Sequence, residues 1–221
     1  MKNGKLTAVI PARSGSQRVK NKNTKKFSNT TLIELKIKCL KNVVGLDEII
    51  ISTDSEEIFE IASENNIKIH KREKYFASNE VNNSDFMENL ATSIDSEHIM
   101  YAPCTSPLIS SETISNCVKN YMTTNITSLA TATSQKHHMW LDGKPLNYDP
   151  SNSPNSQDLP DIVSVNYGCC IISKKDMISQ RNILTDNPFF YITDEIESID
   201  IDTEFDFLVA EIIFNKITSE V

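Results

Sequence analysis

Arg13, Arg18, Lys20, Lys22 and Lys25 crowd into the stretch that follows a short apolar run, Leu6-Thr7-Ala8-Val9-Ile10. The run has the character of a buried first strand. A strand that passes straight into small residues and then into cations is suited to an anionic ligand. Gly15, between Ser14 and Ser16, opens backbone conformations closed to other residues, so neighbouring N–H groups can converge on an oxygen-rich group. Arginine can grip phosphate through two parallel bonds, whereas lysine acts as a movable point charge. A solvated basic loop is the competing reading of such a cluster. Its place after the first strand of an α/β pattern favours a ligand, because ligands bind beyond the carboxyl ends of such strands.

The second chemical signal is Asp200-Ile201-Asp202, near the carboxyl end. On a strand, residues two apart share a face, so both carboxylates would project together while Ile201 points into the core. Two close carboxylates repel unless a cation lies between them. Mg²⁺ takes one or two carboxylates plus substrate phosphates. A solvated pair, or Asp202 as the cap of a helix starting at Thr203, is the alternative for these residues alone. Neither G-x-G-x-x-G nor the P-loop pattern occurs, and no Ser-His-Asp or Cys-His arrangement is evident.

The elements that must position these groups alternate along the chain. Thr31 to Val43 places apolar residues at helical spacing, and Glu48 to Thr53 is a β-branched strand ending at Asp54. Asp54 or Ser55 caps a helix over Glu56 to Asn65. A third strand spans Ile67 to His70, a helix Ser84 to Ile94, and a fourth strand His98 to Tyr101. Ser110 or Ser111 caps Glu112 to Met122, Thr127 to Thr133 is a fifth strand, and the sheet resumes at Val163 to Val165 and Cys169 to Ile172. A last helix, Thr203 to Ile217, packs its apolar stripe on the sheet. Repetition at roughly 25–30-residue intervals predicts an α/β fold with a doubly wound, mostly parallel sheet. Residues 1–221 are read as one domain.

Gln135 to Asp161 breaks this rhythm with four prolines, many Asn and Ser residues, and the turn Asp142-Gly143-Lys144 between two short apolar segments. It predicts a hairpin followed by an extended arm. The lone Trp140 lies on it, and tryptophan is favoured at interfaces.

Ile10-Pro11-Ala12-Arg13-Ser14-Gly15-Ser16 followed by Lys20-Asn21-Lys22-Asn23 resembles the nucleotide-binding signature of the cytidylyltransferases that activate nine-carbon acidic sugars. These are the CMP-sialic acid (N-acylneuraminate) synthetases and their bacterial relatives acting on legionaminic and pseudaminic acids. Glu197 to Asp206 is similar to the family's metal-binding signature, and Ile51 to Asp54, Phe76 to Asn79 and Thr105 to Leu108 resemble further segments. The resemblance implies a Rossmann-like nucleotidyltransferase fold, CTP and a 2-keto acidic sugar as substrates, and Mg²⁺ (or Mn²⁺) on Asp200 and Asp202. It implies nucleotide contacts from Ala12, Arg13, Ser14, Gly15, Ser16, Arg18, Lys22 and Asn23. Asp54, Ser78 and Asn79 would join them, with Arg13, Lys22 and Asp202 in catalytic roles. On the sugar side it implies Thr105, Ser106, His138, Gln157 and Asn166, and for the arm a projecting hairpin exchanged within a homodimer.

The sequence also departs from that pattern. The lysine usual after Arg-x-Gly-Ser is Gln17, so Arg18 or Lys20 must supply that charge. A sugar-contacting glutamine is replaced by Pro103, an arginine by Ile109, and the arginine before Gln157 by Ser156. The Arg-x-Asn-Gly segment becomes Ser164-Val165-Asn166-Tyr167-Gly168. Both ends of the chain keep the pattern while the sugar-facing segments have drifted. Cytidylyl transfer is therefore better supported than the identity of the sugar. The alternatives are a nucleotidylyltransferase for Kdo or a sugar 1-phosphate, and a non-catalytic nucleotide-binding relative.

Composition bounds the rest. A net charge of -8 argues against general nucleic-acid binding. The five cysteines show no C-x-x-C spacing, and reduced thiols in the cytoplasm are the expectation. The first apolar run is too short for a signal peptide or a membrane span.

Overall fold

The computed structural model describes residues 2–219. Strand β1 (Leu6–Pro11) carries no charge, and Leu6 to Ile10 are all buried, as a central strand covered on both faces requires. Leu6, Ala8 and Ile10 face one apolar cluster and Val9 the other. Beyond the basic loop, a small ladder of β2 (Lys26–Phe27) and β3 (Thr30–Thr31) delivers the chain to α1 (Leu32–Lys41). There Thr31 Oγ1 accepts from the Glu34 N–H, satisfying an orphan donor of the first turn. Next come β4 (Glu48–Thr53), α2 (Glu56–Glu64), β5 (Lys68–Lys71), α3 (Lys74–Ala77), α4 (Asn83–Ser93) and β6 (His98–Tyr101). The chain continues through α5 (Ser111–Thr123), β7 (Ser128–Gln135), β8 (Trp140–Leu141), β9 (Lys144–Pro145) and β10 (Ile162–Ser173). It ends with α6 (Lys174–Gln180), β11 (Phe189–Ile192) and α7 (Glu204–Ser219).

Among the described residues the main sheet has the order β11-β7-β10-β6-β1-β4-β5. All its pairings are parallel except those of β10, which runs antiparallel to both β6 and β7. The doubly wound, mostly parallel sheet is thus observed. Helices α1, α2, α5 and α7 pack on one face and α4 and α6 on the other. The chain leaves β1 toward β4 and β5, then returns to β6 on the opposite side of β1. That reversal opens a crevice at the carboxyl ends of β1 and β6, the usual ligand position in such sheets.

Several expectations are corrected. Asp200 to Asp202 is not a strand: residues 199–202 have no regular structure, and the Ile201 N–H donates to Thr105 O at 2.8 Å. Asp202 does not cap α7. Thr203 and Asp206 cap it reciprocally, the Asp206 N–H donating to Thr203 Oγ1 at 3.2 Å and the Thr203 N–H to Asp206 Oδ2 at 2.7 Å. Ser55 occupies the N-cap of α2 without a side-chain bond, because Asp54 is engaged elsewhere. Ser110, not Ser111, caps α5. The two segments after residue 161 form one strand with a bulge between Val165 and Cys170, and α6 and β11 were not anticipated.

The excursion holds a two-stranded ladder, Trp140 against Pro145 and Leu141 against Lys144. Its turn has positive φ at Asp142 and Gly143, as a tight hairpin demands. The expected extended arm is instead coiled into 3₁₀ turns at Pro150–Asn152 and Ser156–Asp158. Cys169 and Cys170 lie in opposite clusters. Among the described residues no helix is long and apolar enough to cross a membrane.

Candidate active site

A cavity of about 850 Å³ opens at the crevice, within the range of small-ligand sites. Arg13, Ser16, Arg18, Lys22, Asn23, Ser78, Asn79, Thr105, Asp200 and Asp202 all line it. It therefore unites the two chemical signals from opposite ends of the chain.

The basic loop is braced from several directions. Arg13 Nη1 donates to Ala77 O at 2.9 Å and Ser78 O at 3.0 Å, and Nη2 to Asn79 Oδ1 at 2.8 Å. Arg13 thus spends donors on holding the Ala77–Asn79 loop, where a free phosphate grip was expected. The Ser14 N–H and Oγ donate to the two Asp54 carboxylate oxygens at 2.8 and 2.6 Å. Burial pushes the Asp54 carboxyl up, but the Ser14 bonds prevail and hold it below its ordinary value. Gly15 has φ 72 with open space around its Cα, so backbone conformation rather than crowding calls for glycine there. Ala12 is fully buried in the core.

Lys22 Nζ donates to Ile201 O at 2.6 Å, and Arg18 Nη2 pairs with Asp202 Oδ1 at 2.7 Å. Burial lowers the Lys22 ammonium against the opposing pull of Asp202 and Asp200. Burial and the nearby Asp202 raise the Asp200 carboxyl, opposed by a Thr105 hydrogen bond and by Lys22 and Arg18. Asp200 Oδ1 is buried with no hydrogen-bond partner. A buried acceptor without a donor is costly, and a divalent cation would satisfy it. The pair of carboxylates beside a cationic loop fits Mg²⁺, which completes its octahedron with phosphate oxygens and water.

Not every expected residue faces the cavity. Ser106 is buried, donating from Oγ to Asn166 O at 3.2 Å, and its own carbonyl accepts from the buried Lys36 Nζ at 3.1 Å. Asn166 directs its side chain inward, Nδ2 donating to Thr193 Oγ1 at 2.8 Å and Oδ1 accepting from the Gly168 N–H at 3.2 Å. His138 and Gln157 lie exposed on the excursion, with His138 Nε2 3.2 Å from Pro154 O. Those four are outside this chain's own cavity, as are Ser14, Gly15 and Asp54, which support its rim.

Sequence reasoning missed Arg72, Phe86, Met87, Tyr101 and Ile183, which also line the cavity. Arg72 is only 5% exposed. Its Nε and Nη2 donate to Ser52 Oγ and O at 3.2 and 3.0 Å, and its guanidinium lies 4.3 Å from the Phe86 ring centroid. Burial brings it down to about 10, so it stays charged at neutral pH. Arg72 follows β5 directly, as Asp54 follows β4; that shared position was the available signal.

The cytidylyltransferase family model matches residues 7–141. The chain is 26% identical over 224 residues to post-translational flagellin modification protein B of Campylobacter coli, covering 96% of this chain and 95% of that protein. It is 24% identical over 215 residues to N-acylneuraminate cytidylyltransferase of Oncorhynchus mykiss, covering 93% of this chain but only 49% of that protein. A solved CMP:2-keto-3-deoxy-manno-octonic acid synthetase complexed with CTP superposes with a TM-score of 0.69 at 11% identity, covering 96% of this chain and 99% of that one. At that identity the likeness is one of fold.

Proposed function

The chain belongs to the cytidylyltransferase family, and on that premise we propose that it transfers the cytidylyl group of CTP to a nine-carbon 2-keto acidic sugar. The observation that carries this reading is the meeting of Arg18 and Lys22 with Asp200 and Asp202 in one cavity at the β1–β6 crevice. Cations that offset a triphosphate stand beside carboxylates that can hold its metal.

Each residue has a task. Arg18, Lys22 and the backbone N–H groups of the Ser14–Ser16 loop offset phosphate charge. Arg13 holds Ser78 and Asn79 where ribose and base would lie. Asp200 and Asp202 would hold Mg²⁺ (or Mn²⁺), which when bound polarises phosphate oxygens and lowers the pKa of a coordinated hydroxyl. The sugar's anomeric oxygen forms the new bond to the α-phosphorus, its proton passes to solvent water, and the bond to the β-phosphate oxygen breaks to release pyrophosphate. Positioning and charge compensation supply most of the rate in such transfers. We assign Trp140 and the excursion to a homodimer contact, since a lone two-stranded hairpin is marginal in water. His138 and Gln157 would then serve a partner's sugar site.

Pyrophosphate release tests the reading directly. Purified protein receives CTP, Mg²⁺ and, separately, N-acetylneuraminic, legionaminic and pseudaminic acids and Kdo. A nine-carbon acid should support turnover with CTP well above UTP, ATP or GTP. Silence with all four acids sinks the proposal, and equal use of UTP favours a sugar 1-phosphate transferase.

A further inference from the structure

Among the described residues that line the cavity, Tyr167 alone has a left-handed backbone, with φ 53. That region is unfavourable for a bulky side chain and persists only where the surroundings impose it. Here they do. Tyr167 sits in the β10 bulge, where the register against β7 slips between Val165 and Cys170. On one side, the buried Asn166 is tied inward to Thr193 and to the Gly168 N–H. On the other, a Cβ at Gly168 would lie 2.6 Å from Ile109 Cδ1 and 2.9 Å from Thr131 Oγ1. With both neighbours drawn into the core, the residue between them is turned out into the cavity. Bulges beside functional sites re-aim single side chains in this way.

Tyr167 is 42% exposed, and its hydroxyl has no hydrogen-bond partner among the described residues. Pro103 and Thr105 follow β6, which pairs with β10, and Asp200 adjoins Thr105 through the bond from the Ile201 N–H to Thr105 O. All three therefore line the β6–β10 side of the crevice with Tyr167. Arg72, Ser78 and Asn79 lie beyond β1, toward β5. Resting on the function proposed above, we propose that Tyr167 is the specificity-determining platform on which the ring of the acidic sugar lies. An aromatic face offers a large rigid contact for the apolar C–H face of a sugar. The strain held at this bulge is the structural counterpart of that contact.

The test is steady-state kinetics with CTP and whichever of the four acids gives the highest kcat/KM, alongside thermal melts. Y167G removes the ring and relaxes the backbone, since glycine accepts left-handed φ freely. It should raise the KM for the acid about tenfold or more and leave the KM for CTP within about twofold. Its Tm should be unchanged or higher. Y167F keeps the ring and should hold the acid KM within about threefold of wild type. An unchanged acid KM in Y167G overturns the inference. So do joint rises in both KM values with a lower Tm, or a Y167F defect as large as that of Y167G. In each of those cases wild-type turnover leaves the proposed function standing. Absence of pyrophosphate release by wild type with every acid ends both.

Discussion

The basic loop after β1 and the excursion at 135–161 both leave the main sheet, yet they are held in opposite ways. The loop is tied to distant parts of the chain: Arg13 to the Ala77–Asn79 loop, Ser14 to Asp54, Lys22 to Ile201 and Lys25 to Glu204. The excursion is tied mainly to itself. Met139 N–H donates to Asn147 Oδ1, Asn147 Nδ2 to His137 O, and Ser151 N–H to Asp149 Oδ1. Lys136 closes its base on Leu159 and Asp161. A segment locked to remote elements is pre-organised and can present charge without rearranging. A segment bonded mainly to itself leaves Trp140 and Leu141 57% and 60% exposed, and this is the surface that the proposed homodimer contact would cover.

The largest effect should come from the carboxylates that the loop faces. Asp200→Asn and Asp202→Asn should each lower kcat on the order of 10²-fold or more, as losing a key electrostatic stabiliser does. Raising Mg²⁺ should recover part of that loss. Unchanged kcat in both variants at ordinary Mg²⁺ would falsify the metal assignment and leave the loop without its counterpart.

Next in size are the braces of the loop. Arg13→Ala frees the Ala77–Asn79 segment and Lys22→Ala frees Ile201. Each should raise the KM for CTP about tenfold, the equivalent of about 1.4 kcal/mol, with a smaller change in the KM for the acid. Asn147→Ala breaks a comparable brace in the excursion and should leave the CTP KM alone. Similar CTP defects in all three variants would erase the distinction between the two regions.

For the excursion the expected effect is on assembly. Trp140→Ala should shift light-scattering mass from two subunits toward one and reduce turnover in step. A fully active wild-type monomer at micromolar concentration contradicts the dimer assignment.

How much of this was legible varied with the type of signal. Strands at Glu48–Thr53 and His98–Tyr101 were readable to the residue because buried parallel strands are nearly continuous apolar runs. Phe189–Ile192 was missed although Asn187-Pro188 announces a break before it. It is an edge strand, exposed at Phe189 and Ile192, so no alternation marks it. The Asp200–Asp202 spacing led to the right outcome through the wrong element. Both carboxylates line the cavity and Ile201 is buried, but a loop carbonyl and Lys22 hold that segment where a strand ladder was expected. Arg72, Tyr101 and Tyr167 could not be grouped in advance. Tyr101 and Tyr167 lie on β6 and β10 and Arg72 lies just past β5, so their grouping depends on the order of the sheet.

The smallest effect belongs to Asp54, and it separates bracing from ligand contact. Its folded-state pKa lies below the ordinary 3.8 because the Ser14 bonds outweigh burial. A carboxyl depressed on folding contributes stability that is present above its unfolded pKa and is lost as pH falls through the folded value. Asp54→Asn should therefore be less stable than wild type at neutral pH. The deficit is about 1 kcal/mol once solvent screening of this partly exposed group is allowed for, or a Tm about 2–4 °C lower. The gap should narrow as pH drops below 3.8, because wild type then loses the same carboxylate. If Asp54 only braces, CTP affinity should fall in proportion to the loosened loop and recover with temperature lowered well below the melt. A gap in Tm that stays constant from neutral to acid pH would show that the Ser14–Asp54 pair does not hold the loop, and that its rigidity resides in Arg13 and Lys22 instead.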